Sequence, residues 1–131
     1  MHITIPDPTT HEGFKLWKKS NEWRKQVNEI LKPFQLNQTD LFHLVILIWL
    51  QYSKTEVTQI SLSNYVGTEV MSTSKIVRKL EKLKLIQRQT GKDPRSFALT
   101  VTQAGKELAV ITAPILRDVE ASFFGMSTKK H

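Results

Sequence analysis

Residues 57–105 read VTQISLSNYVGTEVMSTSKIVRKLEKLKLIQRQTGKDPRSFALTVTQAG. Apolar positions at Ile60, Leu62 and Val66 predict a short helix, because they recur at helical spacing. Gly67 closes it, since glycine enters the left-handed region without a Cβ penalty. A second helix is predicted over about residues 70–84, with Val70, Val77, Leu80 and Leu83 on its apolar stripe. Residues 85–89, 90–95 and 96–101 then read as strand, turn and strand, with Gly91 and Pro94 marking the turn.

Two helices followed by a basic hairpin make a winged helix-turn-helix. The charge coincides with that unit. Between residues 72 and 95 the bases are Lys75, Arg78, Lys79, Lys82, Lys84, Arg88, Lys92 and Arg95, and the acids are Glu81 and Asp93. Eight bases against two acids carry +6 of the whole-chain charge of +7. A basic stripe along one helix and its hairpin is the electrostatic footprint of a nucleic acid; the plainer alternative is a solvated helix face.

The remaining sequence supplies a frame. At 131 residues with 40% hydrophobic and 24% charged composition, the chain is one soluble domain's worth with a single core. Having no cysteine, it forms no disulfide, thiolate metal site or thiol redox sensor. Residues 1–12 contain Pro6 and Pro8 without apolar periodicity and are expected to be a flexible tail. Residues 13–131 are expected to be a single winged-helix domain, with the helix-turn-helix and wing at 57–105. A helix over 13–31 carries Phe14, Trp17, Val27, Ile30 and Leu31, and Pro33 ends it. Asn37, with Asp40 three residues on, resembles a capping box for a helix running to Tyr52 that is apolar nearly all round. Its apolar run is far short of the roughly 20 residues needed to span a bilayer, so it reads as a core helix. Residues 53–57 can add a one- or two-residue strand beside the wing. Thr58 and Thr102 are candidate caps. The last helix, 103–124, carries Leu108, Ile111, Ile115, Val119 and Phe123, with Pro114 expected to kink or break it. No signal peptide is visible, which fits a cytoplasmic protein. The fold class expected is mainly α (α+β): a winged helix-turn-helix with N- and C-terminal dimerisation helices, 13–31 and 103–124.

With Val70, Thr73, Val77 and Leu80 inward, the outward face of the second helix presents Met71, Ser72, Ser74, Lys75, Arg78 and Lys79. The N-terminal part of such a helix reads base edges in a major groove. Lys75 reaches guanine acceptors, the serines bases or phosphates, and Met71 a thymine methyl. Arg78, Lys79 and Lys82 lie further along, where phosphate contact gives affinity without sequence reading. On the wing, Arg95 suits a narrow A·T-rich minor groove, and Lys92 adds general electrostatic attraction. Asp93 either braces an arginine or serves as a turn residue. His43 on an apolar helix reads first as a hydrogen-bonded core histidine. Trp17, Trp23, Phe42, His43 and Trp49 are candidates for a pocket taking an aromatic or apolar effector; core or interface packing is the competing reading. His2, His11, His43 and His131 lack metal-ligand spacing, and no nucleophile has a paired base, so neither a metal, a cofactor nor catalysis is expected.

The motifs resemble those of the MarR family of transcriptional regulators. The strongest match is Asp93-Pro94-Arg95-Ser96 followed by Leu99-Thr100-Val101-Thr102-Gln103-Ala104-Gly105. That run is similar to the family's Asp-x-Arg turn, a strand ending in a Leu-Thr-like pair, and x-x-Gly. Val57-Thr58-Gln59, Val66-Gly67 and the run from Lys75 to Lys82 match the helix-turn-helix. Leu85-Ile86 resembles the family's lead into the wing, with Lys84 where a glycine is usual. The likeness covers about residues 14–124. It implies a homodimeric, sequence-specific DNA-binding regulator, most commonly a repressor, whose ligand changes the distance between two recognition helices. A pseudo-palindromic operator with half-sites roughly 10 bp apart is then expected. The alternatives are a winged-helix protein-interaction adaptor and a sequence-neutral nucleic-acid binder.

Overall fold

Side-chain caps set the starts of several helices in this chain. Among the described residues, 4–53, 56–91, 95 and 97–125 of the computed structural model, the order is α1 (Glu12–Leu31), α2 (Gln38–Ser53), α3 (Gln59–Val66), α4 (Val70–Lys82), β1 (Ile86–Thr90), β2 (Phe97–Val101) and α5 (Gln103–Phe124). Asn37 and Asp40 form the expected reciprocal cap. The Asp40 N–H donates to Asn37 Oδ1 at 2.8 Å, and the Asn37 N–H donates to Asp40 Oδ2 at 3.0 Å. Thr58 does the same with Ser61 at the start of α3. Thr102 Oγ1 caps α5 by accepting from the Gly105 N–H at 3.1 Å. Gly67 ends α3 with φ +84°, in the left-handed region. Lys84 also has a positive φ, +64°.

β1 and β2 pair antiparallel, from Ile86 opposite Val101 to Thr90 opposite Phe97. The segment before α3 adds one bridge, Thr58 to Ala98, and Val57 O accepts from the Leu99 N–H at 2.8 Å. The expected short strand is therefore a single bridge, one residue beyond 53–57. Two contacts join the hairpin to the helices. The Gln51 side chain on α2 accepts from the Val101 N–H at 2.5 Å. Gly105 sits so close to the hairpin that a Cβ there would meet Leu85 O at 2.3 Å and Val101 Cγ1 at 2.8 Å.

The core centres on α2. Leu41, Leu44, Leu47 and Leu50 are buried against Val27 and Leu31 of α1, Leu62 of α3, Val77 and Leu80 of α4, and Ile86 and Leu99 of the hairpin. Burying each such side chain contributes about 1.5–3 kcal/mol, so α2 is the element on which the others depend. It is not enclosed all round, however: Phe42, Trp49 and Tyr52 are exposed. These positions follow 7- and 3-residue steps, one stripe of the helix, on which Phe42 meets Trp23 of α1 and Trp49 meets Tyr65 of α3 without being buried. Pro114 does not break α5, which continues as one helix past it. The residue whose carbonyl loses its usual partner there, Val110, is itself exposed. No helix among the described residues is long and apolar enough to cross a membrane.

Candidate nucleic-acid interface

Helical spacing divides α4 cleanly. Thr73, Val77 and Leu80 are buried, while Ser72, Lys75, Arg78 and Lys79 are exposed and Ser74 is half-buried. Met71 is 72% exposed. Arg78 donates from one guanidinium nitrogen to Ser74 Oγ at 3.3 Å, one turn back. This is the hydroxyl-rich basic face read from the sequence. Two inward assignments need correction. Val70 is 43% exposed and Ile60 62% exposed. Both lie near a helix N-terminus, where the stripe has passed beyond the core and meets the wing instead. With Arg88, Arg95 and Phe97 they line an open cleft of about 240 Å³ at the base of the hairpin.

Of the wing's basic residues, Arg88 is held as well as displayed. Arg88 reaches Glu81 of α4 through Nε (3.2 Å to Oε2) and a terminal nitrogen (3.0 Å to Oε1). The same guanidinium lies 5.4 Å from the centre of the Phe97 ring. A forked arginine–carboxylate pair fixes geometry as well as charge, so the fork ties the hairpin to α4. Lys92 and Asp93 lie outside the described residues.

Beneath α4 lies polar structure of which the sequence showed only the components. His43 is 0% exposed. Its Nδ1 is 2.7 Å from Thr39 O, its Nε2 is 2.9 Å from Thr73 Oγ1, and Thr68 Oγ1 is 2.7 Å from Thr73 Oγ1. A carbonyl can only accept, so the proton is on Nδ1 and Nε2 accepts from the Thr73 hydroxyl. Burial pushes the His43 pKa down, opposed by the Thr39 carbonyl and the Asp40 charge. The imidazole is thus a neutral core group, as read first from the sequence, and does not line a ligand pocket. Nearby, Lys79 Nζ is 2.5 Å from Asp40 Oδ2, and Asp40 is 2% exposed.

The four residues Trp17, Phe42, His43 and Trp49 do not meet. Trp17 is exposed against Phe14, Trp49 packs on Tyr65, and His43 faces α4. His43 is a single residue after Phe42, which turns it about 100° around the helix. A different enclosed cleft, of about 60 Å³, lies between α1, α2 and α5, lined by Trp23, Gln38, Phe42, Val45, Leu116 and Glu120. Two of its N–H donors, Trp23 Nε1 and Gln38 Nε2, are buried without a partner among the described residues. Of the aromatic candidates, Trp23 and Phe42 belong to it.

No family model matches the chain. An uncharacterised HTH-type transcriptional regulator of Bacillus subtilis (strain 168), YdcH, is 30% identical over 130 residues, covering 98% of this chain and 88% of the relative. The chain belongs to the HTH-type transcriptional regulators, and its fold is that of solved MarR family regulators. Among solved structures, the fold of this regulator is shared by S. aureus MepR in complex with DNA (TM-score 0.81, 18% identity, 94% of this chain and 87% of that one). It is also shared by M. tuberculosis MosR in complex with DNA (0.75, 16%, 92% and 85%) and by a MarR regulator of Methanosarcina mazei (0.76, 21%, 90% and 83%). The family is non-enzymatic, in agreement with the reading that the chain carries no catalytic constellation.

Proposed function

We propose that this regulator is a cytoplasmic, sequence-specific repressor that binds a pseudo-palindromic duplex as a homodimer. The observation that carries the reading is the face of α4, where Met71, Ser72, Lys75 and Arg78 stand exposed on the fold that MepR and MosR bring to DNA. In this reading Met71, Ser72, Ser74 and Lys75 meet base edges in the major groove. Arg78 and Lys82 hold phosphates. Arg95 and Lys92 approach the minor groove, with Asp93 bracing the turn. The adaptor alternative would want an apolar or acidic α4 face, and the observed one is basic.

The dimer is supported by α1 and α5. Leu16, Trp17, Val110 and Ile111 are exposed on these two helices, an apolar surface that a second copy would cover. The cleft beside Trp23 and Phe42 is the place this reading gives a small aromatic or apolar effector. Its unpartnered donors call for an acceptor group on the ligand. At about 60 Å³ it has room for a few waters, so an effector would favour a more open state and shift the population away from the DNA-bound one. Titrating the protein with labelled duplex DNA at several salt concentrations tests the interface. The basic stripe requires affinity to fall steeply and log-linearly with salt; a flat dependence removes it.

A further inference from the structure

Among the described residues, two side-chain polar contacts join α2 to α4, and both start from one face of α2, at Asp40 and His43. His43 Nε2 accepts from the hydroxyl of Thr73, which in turn accepts from Thr68 in the turn between α3 and α4. Asp40 Oδ2 receives the ammonium of Lys79. Thr73 and Lys79 are six residues apart, about 9 Å along the helix, with buried Val77 between them. Apolar contacts such as those of Val77 and Leu80 are non-directional, so they tolerate a small roll of α4 about its axis. Two directional contacts 9 Å apart do not. Thr73 stands between Ser72 and Ser74, so any roll at that position moves the residues proposed to read bases.

Resting on the DNA-binding reading above, we propose that His43 and Lys79 are positioning residues that fix the roll of the recognition helix, Lys79 holding the buried Asp40 carboxylate and not a phosphate. Asp40 has a reason to keep this partner. Its side chain also caps α2 through the Asn37 N–H, and a carboxylate buried to this degree is strongly destabilised when its counter-charge is removed. Lys79 therefore differs from its neighbours Lys75 and Arg78, although all three look alike in the sequence.

The experiment compares Lys79→Gln, Thr73→Val and Thr73→Ser with the unaltered protein on a duplex selected from a random pool and on an unrelated duplex. Lys79→Gln is expected to leave the salt slope of binding unchanged, whereas losing a phosphate contact lowers it by about 0.9. Lys79→Gln and Thr73→Val are both expected to reduce preference for the selected duplex by about tenfold, the scale of one misread base pair, and Thr73→Ser to restore it. A slope reduced by one contact in Lys79→Gln, or an unchanged preference in both variants, overturns the proposal. The unaltered protein gives a measurement independent of variant folding. Side-chain NMR should show the Lys79 ammonium bonded to the Asp40 carboxylate and His43 protonated at Nδ1, before and after adding DNA. Transfer of the ammonium to a phosphate overturns it. Failure of the unaltered protein to prefer any duplex would instead remove the DNA-binding reading, while NMR of the DNA-free protein still decides whether the two contacts exist.

Discussion

His43 can be followed from its chemistry to a measurable property. Its ring is neutral in the folded protein, because burial lowers its pKa from the ordinary 6.5. The unfolded chain therefore takes up a proton at higher pH than the folded one. The contribution of neutral His43 to stability is complete above pH 6.5 and is lost as pH falls from there toward the depressed folded value. Denaturant unfolding at a series of pH values should show this loss, and His43→Gln should flatten it; an identical pH dependence in the variant would show that another group titrates. Lys84 offers a second test. Its φ of +64° costs an L-residue about 1–2 kcal/mol, so Lys84→Gly is expected to raise stability by about 1 kcal/mol in thermal or denaturant melts. No gain would mean that the lysine stem recovers this energy through contacts. The sequence showed the residue types at both places. It did not show their geometry: a histidine on an apolar helix reads as core, but the Thr73 partner is 30 residues away.

Elements were legible where their determinants are local. Asn37, Thr58 and Thr102 lie within three residues of the groups they cap, so helix starts could be read directly. Errors arose where a distant element decides the outcome. Ile60 and Val70 fit an apolar stripe but lie past the edge of the core, beside the hairpin. Phe42 and Trp49 share an α2 face that neighbouring aromatics touch but do not bury, which a helix read as apolar all round does not distinguish from burial. Gly105 is the reverse case, a helical glycine that only the junction of hairpin and α5 explains. Gly105→Ala forces a Cβ against the Leu85 carbonyl, a backbone atom that cannot rotate away. The expected loss is about 3 kcal/mol, at the upper end of overpacking. A melting temperature within a degree of the unaltered protein would show that α5 can shift at no cost.

Across the whole molecule, the charge asymmetry and element order together made the winged helix-turn-helix readable, because both are properties of sequence order, while the family resemblance rested on the motifs at residues 93–96 and 99–105. The effector candidates were not readable as a set, since a pocket is built where three helices meet and depends on their packing. The outer faces of α1 and α5 lead to the next expectation. Light scattering should give about twice the chain mass, and introducing a charge at Ile111 should shift it toward the monomer while the fold persists. A monomer with and without DNA would remove the two-fold model. Whether α4 and the wing of a symmetric pair read a duplex is decided by selection from a randomised duplex pool at near-physiological salt. The expected result is enrichment of an inverted repeat with half-sites roughly 10 bp apart and A·T-rich flanks under the wings. Retention with no enriched motif, or no retention at all, would contradict it.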